Sequence, residues 1–584
     1  MTKISTRKWA LFPVFALILM AKPTLAQFQL NASQQTWVRS TMAQMSEDEK
    51  VGQLICPVAT AIFTNVESDE FKTIQENIQK YHVGCYHLEG FMGGDPLTGA
   101  AMVAHMQQMA KIPLFITADF EGGVGIQFTG GTRFPRGMAM GATGNTQYAY
   151  DAARFTALEA RAMGVNVNFY PVVDVNNNPQ NPVINIRSFG EDPDRVSQFA
   201  TAYIKGAQEN GIIATAKHFP GHGDTSVDSH IQLPILNFDR ARLNLIELPP
   251  FEAAIKTGVG AVLTAHIDLP QLEKTPGLPA SLSYSITTDL LRQELGFKGV
   301  VFTDALRMKA VSDRFGPDQA VVMAIHAGAD VALEPADIPK SFEALKAAVE
   351  KGEISQQRLD ESVQRILEAK AWVRLNQNAL PDITQVNKLV GSQAAEQKSQ
   401  EIMEHALTLV KDDHDALPLR LAPDEDVLLL NFVDAPDIEF TNSPGRIFHQ
   451  QFVKRHAKTL FATIGPDIPP GEASLIAQLA NRYRAIVISC TLRFASSRGY
   501  IGLAERQQDL LRTLASHQGP LVFALFGSPY LLDSIPELPG YALAFEYYPG
   551  AEAAMVRAIF GEIPFQGTLP VTVGPFPVGT SLKK

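Results

Sequence analysis

Cysteine is scarce in these 584 residues: there are three, Cys56, Cys85 and Cys490. The set is odd in number, and Cys56 and Cys490 sit in apolar, strand-like runs, so they read as buried thiols and no disulfide framework is predicted. Positive charge is in deficit too, with 50 Lys and Arg against 61 Asp and Glu and a net charge of −11. That balance argues against nucleic acid or an anionic membrane as the main partner. Beyond the N-terminus no apolar run is long enough to cross a bilayer, and internal repeats, low-complexity tracts and long charge runs are lacking. What is left is an ordinary globular composition, 46% hydrophobic and 19% charged, with room for two or more domains.

The N-terminus stands apart. Lys3, Arg7 and Lys8 precede an apolar run from Trp9 to Ala21, and Thr24-Leu25-Ala26 precede Gln27. This is the layout of a signal peptide, with a core too short for a membrane span; a retained N-terminal anchor is the alternative reading. No cysteine lies near the cut, so a lipid anchor is not expected. Residues 1–26 are expected to be removed and the protein to be secreted or periplasmic, without stable membrane insertion. Oligomeric state is not legible.

From there, apolar runs alternate with helix-like segments. Strands are predicted over 51–58, 83–88, 113–118, 165–173, 212–216, 259–264, 299–303 and 329–333, with helices between them such as 146–163 and 193–209. Eight strand–helix units in somewhat over 300 residues predict an α/β fold: a (β/α)₈ TIM-type barrel over residues 27–376. Residues 377–391 read as a linker. A second set of six strands (427–433, 459–463, 485–489, 521–526, 542–545 and 569–573) predicts a smaller, doubly wound αβα sandwich over 392–584.

Polar residues fall at the strand ends. Asp119 and Glu121 end the third run, Asp174 the fourth, Lys217 and His218 the fifth, His266 the sixth, Asp304 the seventh and Glu334 the eighth. One carboxylate after a strand is commonly a helix N-cap. Six consecutive strands ending this way point to the face of a barrel where active sites are built.

The densest stretch is Lys217-His218-Phe219-Pro220-Gly221-His222-Gly223-Asp224, followed by Asp228-Ser229-His230. Pro220 and Gly221 forbid a continuous helix, so a strand end running into a loop is predicted. By residue type, His218, His222, Asp224, Asp228 and His230 would serve as a zinc or di-metal set. The competing reading needs a rigid carboxylate, for which Asp304 is best placed, and a group titrating near neutrality. Asp228, two positions from His230, could orient that imidazole and stabilise its charged form. Together they are what glycosyl transfer requires.

These motifs resemble glycoside hydrolase family 3, in its β-N-acetylglucosaminidase branch. The likeness continues in Asp119-Phe120-Glu121-Gly122-Gly123, Asn185-Ile186-Arg187-Ser188-Phe189-Gly190, Leu263-Thr264-Ala265-His266 and Gly296-Phe297-Lys298-Gly299-Val300-Val301. The resemblance implies Asp304 as nucleophile, His230 as acid/base paired with Asp228, and retention of anomeric configuration. It implies Asp119, Arg187, Lys217, His218 and His266 as the substrate-binding set, no metal and no cofactor. The implied substrate is a small N-acetylglucosamine-containing glycan derived from peptidoglycan or chitin, with a phosphorylase or a β-glucosidase as alternatives. Gly221 and Gly223 would let the loop carry His230 in and out of the site. Two departures stand out: Thr303-Asp304-Ala305-Leu306 lacks the branch's second acidic residue, and Val124-Gly125 stands where the family often has arginine and valine.

Overall fold

The computed structural model describes residues 28–62, 64–90, 94–435, 443–494 and 498–584; the expected signal peptide lies outside the described residues. The first half is a parallel barrel built from β1 (Ile55–Cys56), β2 (Val58–Thr60), β3 (Cys85–Glu89), β4 (Phe115–Ala118), β5 (Val167–Asn168), β6 (Ile213–Phe219), β7 (Ala261–Thr264), β8 (Val300–Thr303) and β9 (Ala332–Leu333). Strands β2 to β8 pair side by side in chain order. The ring closes because β9 pairs with β1 and Val331 bridges Phe302. β1 and β2 are one strand interrupted at Pro57, which has no N–H to give the ladder. Apart from β2, whose Thr60 is exposed, these strands are buried on both faces, one against the barrel interior and one against helices, which is why they read as apolar runs. The helices are set by local signals: Pro193–Glu209 starts at an Asp192 side chain accepting from the Asp194 N–H, with Pro193 in the first turn.

Three strand readings change. The first run, read from 51, begins inside the helix Glu47–Gly52, and its strand is confined to β1 and β2. The fourth run is a ladder only at Val167–Asn168; Pro171 then breaks it, and Val172 rejoins by bridging Lys217. The fifth run does not stop at Ala216 but continues to Phe219, so Lys217 and His218 lie on the strand itself. A register shift against β7 between Lys217 and Phe219 re-aims these side chains, as bulges at barrel rims do. The expectation of no disulfide is also corrected: Cys56 and Cys85 are bonded, with Cα atoms 4.5 Å apart, and only Cys490 is free. Adjacent parallel strands bring the two cysteines together, a proximity that sequence spacing does not carry.

The second half holds β10 (Thr408–Asp412), β11 (Val427–Val433), β12 (Thr459–Ile464), β13 (Ala485–Leu492), β14 (Leu521–Gly527) and β15 (Gly540–Leu543), in the order β10-β15-β14-β13-β11-β12. All pairs are parallel except β10 with β15. Residues 569–573, expected as the sixth strand, instead run along the barrel: the Thr572 N–H bonds Glu191 at 2.8 Å and the Thr568 N–H bonds the Ala142 carbonyl at 2.9 Å. Edge strand β10, unpredicted, takes the sixth place. The presumed linker contains a helix, Ile383–Leu389, whose Val386 packs with Ala100 and Ala162 of the barrel.

The halves share a core, since Met138, Ala139, Ala142 and Ile186 of the first belong to the apolar cluster of the second. Their polar joint is Glu546, fully buried just beyond β15, which accepts from the Arg136 guanidinium at 2.6 Å and lies 3.7 Å from Arg133. The Arg136 guanidinium also faces the Tyr547 ring at 5.1 Å. Removing one partner of a buried ion pair costs about 3–5 kcal/mol, so Glu546→Ala should lower the thermal midpoint sharply. Glu404→Ala, which breaks a more exposed pair with Arg557, should cost less than about 1 kcal/mol. Equal midpoints for the two variants, measured by differential scanning calorimetry, would contradict this account of the joint.

Candidate active site

The carboxyl ends of the barrel strands open into a cavity of about 720 Å³. Asp119, Arg187, Lys217, His218, His230 and Asp304 all line it. Phe494, just beyond β13, and Tyr547, beyond β15, cover it from the second domain.

Lys217 donates to Asp119 at 2.5 Å and lies 2.8 Å from Glu121. Arg187 grips both oxygens of Glu121, at 2.8 and 2.7 Å, a bidentate geometry that fixes the guanidinium plane. Burial pushes the Glu121 carboxyl up, but Arg187 and Lys217 outweigh it and hold the group well below the usual carboxylate range. Burial likewise favours a neutral Lys217, and Asp119 and Glu121 overcome it, raising the ammonium's pKa. Both cations therefore stay charged at the cavity wall.

His218 is held from behind. Its Nδ1 lies 2.7 Å from Asp174 Oδ2, and Arg187 approaches its Nε2 at 3.3 Å, so the proton belongs on Nδ1 and Nε2 accepts. Asp174 also takes the His222 N–H at 2.7 Å. His222 is bonded through both ring nitrogens, to Thr225 at 2.9 Å and Ser229 at 3.2 Å; burial, aided by neighbouring His218, lowers its pKa to about 4. Asp224 turns away to Arg242 at 3.3 Å. The five-residue metal set read by type is thus dispersed among separate partners. Gly223 is packed directly on neighbouring backbone, since a Cβ there would lie 1.8 Å from the Val175 carbonyl oxygen. The Asn181 side chain pins the same loop by donating to the carbonyls of His222 and Gly223.

Further along the loop, Asp228 Oδ1 accepts from the His230 backbone N–H and lies 2.8 Å from His230 Nδ1. This fixes the ring and leaves Nε2 for the cavity. Asp304 follows β8, and its Oδ1 accepts from the Ala305 N–H at 2.8 Å. Burial pushes this carboxyl up, but the imidazoles of His266, His218 and His230 outweigh it and bring the pKa down to about 2. His266 itself, expected among the substrate-binding residues, does not line the cavity. Its Nδ1 is bonded to Ser281 at 2.7 Å and its Nε2 to the Ala305 carbonyl at 3.0 Å. It braces the backbone beside Asp304.

Several lining residues were not singled out in the sequence. Arg133 and Arg136 supply cations to a cavity where Val124 supplies none. His87 and Glu89 end β3, while Arg307 joins Glu334, with which it pairs, and lies 3.2 Å from Glu89. Among the described residues, His87, Glu89 and Glu334 are the one group whose ligand atoms, all within 4.8 Å of one another, could hold a cation. The signal available was only the strand-end position of Glu334 and Glu89.

A match to the glycosyl hydrolase family 3 N-terminal domain covers residues 46–369. Beta-hexosaminidase A of Pseudoalteromonas piscicida is 40% identical over 349 residues, which is 56% of this chain and 58% of that protein; the alignment thus spans little more than half of that relative. A protein of Cellulomonas fimi named beta-N-acetylglucosaminidase/beta-glucosidase is 30% identical over 566 residues, covering 94% of this chain and 97% of its own. The solved structure of a family 3 beta-N-acetylglucosaminidase from Paenibacillus sp. str. FPU-7 superposes with a TM-score of 0.80 at 33% identity, covering 91% of this chain and 99% of that one.

The depressed Asp304 pKa carries a linkage consequence. Its contribution to stability is fully present above the ordinary value of 3.8 and is lost as pH falls toward about 2. Asp304→Asn should therefore flatten the fall of the thermal midpoint across that window. Parallel curves for parent and variant would show that the carboxylate is not held ionised by its imidazoles.

Proposed function

The chain belongs to glycosyl hydrolase family 3, and from that premise we propose that it is a retaining exo-β-N-acetylhexosaminidase. It would release terminal N-acetylglucosamine from peptidoglycan- or chitin-derived fragments, acting outside the cytoplasm after removal of residues 1–26. The observation that carries this reading is the pairing of chemistries in one cavity: Asp304, ionised, and His230, with its Nδ1 fixed to Asp228.

In the first step Asp304 attacks the anomeric carbon, and His230 Nε2 gives a proton to the departing oxygen. Asp228 stabilises the imidazolium before transfer. In the second step His230 takes a proton from water, which displaces Asp304 with a second inversion, so configuration is retained. Asp119, Lys217, Arg187 and His218 hold the ring; together they present both donors and acceptors, as neutral hydroxyls require. The similarity to proteins named for this activity supports the reading. A competing acceptor is phosphate, because a neutral imidazole does not repel it as a carboxylate would and Arg133 and Arg136 share the single Glu546.

Leaving-group dependence tests the acid/base role. A nitrophenolate departs unprotonated, whereas a sugar alkoxide does not, so His230→Ala should lose about 10²–10⁴-fold more rate on a natural disaccharide than on an aryl glycoside. Added azide should restore turnover on the aryl substrate and give the β-glycosyl azide. Equal losses on both substrates without azide rescue would remove His230 from the role. A glycosyl phosphate as the main product in phosphate buffer would convert the assignment to a phosphorylase.

A further inference from the structure

The proposed chemistry makes no use of Glu247, a buried carboxylate outside the cavity, against the base of the loop that carries His230. Glu247 immediately precedes the helix Leu248–Thr257, and its side chain makes no cap bond there. Only 3% of that side chain is exposed. Gly221, at the start of the loop, packs against it: a Cβ on Gly221 would lie 2.7 Å from Glu247 Cβ and Cγ. Glu247 Oε1 accepts from Arg242 Nε and Nη2, both at 3.2 Å, while Oε2 has no hydrogen-bond partner among the described residues. The charged groups facing Glu247 are Arg242, from the helix Arg240–Leu245, and Asp224, from the loop. Arg242 reaches further. Its Nη2 also lies 3.3 Å from Asp224 Oδ2, and its guanidinium faces the Phe238 ring at 4.8 Å. Asp224 stands just before the excursion that holds Asp228 and His230, and Phe238 stands just after it. One guanidinium therefore touches both stems of the excursion. Two other ties each hold a single stem: Asn178 donates to the carbonyls of Asp224 and Thr225, and the Leu236 N–H bonds the Asp268 carbonyl.

We propose that Arg242 and Glu247 are positioning residues for the acid/base pair: Arg242 staples the two stems of the loop that carries Asp228 and His230, and ionised Glu247 fixes the staple to the helix layer. The inference rests on the role given to His230 above. Two carboxylates compete for one guanidinium, and they differ in what they hold. Asp224 belongs to the loop, whereas Glu247 is buried at the start of a packed helix. Burial pushes the Glu247 carboxyl up to about 7, against the opposing pull of Arg242. Below that pH the carboxyl is protonated, its charge-assisted bond is lost, and the guanidinium follows Asp224 and the loop. Above it the guanidinium is anchored, and both stems with it. Displacing a catalytic group by about 1 Å can cost about 10²-fold in rate, and here the cost falls on the proton transfer that His230 performs.

The readout is the ratio of kcat/KM on a natural disaccharide to kcat/KM on an aryl N-acetyl-β-glucosaminide, with the thermal midpoint measured alongside. Arg242→Ala should cut that ratio about 10–10²-fold, because the aryl leaving group does not need the proton that a misplaced His230 delivers poorly. Arg242→Lys should recover part of the loss. The Arg242 side chain is 36% exposed, so these variants should fold even if Glu247→Gln does not. Glu247→Gln holds the group uncharged at every pH, so its ratio should match the parent's below a pH of about 7 and fall behind it above. Equal losses on both substrates for Arg242→Ala would reduce Arg242 to a stabilising contact and overturn the proposal. A Glu247→Gln ratio that runs parallel to the parent's across the whole range would overturn the part given to Glu247. His230→Ala assayed in parallel keeps the two levels apart: an unchanged ratio there would refute the acid role of His230, and the proposal with it, whereas a large loss there with none in Arg242→Ala would refute the staple alone.

Discussion

A single buried carboxylate, Glu121, shared between the buried cations Arg187 and Lys217, organises the mouth of this barrel. Charges in such a place are tolerable only when each has a partner, and the pairing propagates. Arg187 reaches His218, His218 rests on Asp174, and Asp174 holds the backbone of His222. Lys217 passes the connection to Asp119 on the other side. Three strand ends are thereby locked together by groups several of which also face the cavity, so the network that satisfies buried charge is the same one that would grip a sugar.

The second domain extends this logic across the interface. Glu546 neutralises Arg136 under the Tyr547 ring, and Phe494 lies over the Arg187 guanidinium at 5.4 Å. Both aromatic residues follow carboxyl ends of strands in the doubly wound sheet, the edge where such sheets place functional loops. The two sheets therefore present their working ends to one another, and the cavity is roofed by residues more than 250 positions away in the chain from most of its floor. The loop bearing His230 meets the same roof, since Ile231 approaches Gly499 closely.

Much of this was legible because the physics is local. Parallel strands buried on both faces leave continuous apolar runs, and the polar residue that ends each run marks the open face; Asp119, Lys217, His218 and Asp304 all reached the cavity that way. The Asp228–His230 pair was readable because its partners are two residues apart. What escaped depends on contacts across the chain. Cys56 and Cys85 meet only because their strands are neighbours. Arg136 finds Glu546 410 residues away. His266 ends a strand like the others, yet Ser281 and the Ala305 carbonyl claim both its nitrogens, so strand-end position alone overstates its role. β10 was missed because an edge strand ending in Lys411 and Asp412 lacks the apolar signature of its buried neighbours.

The central claim is that Asp304 forms a covalent bond to the sugar. The direct measurement is intact-mass and peptide-mapping mass spectrometry after incubation with a 5-fluoro-N-acetylglucosaminyl fluoride, whose loading outpaces its release. The account predicts one sugar per chain, carried by the peptide containing Asp304 and absent from Asp304→Ala. An adduct on a different carboxylate, or inactivation and slow turnover with no adduct at any time, would contradict it.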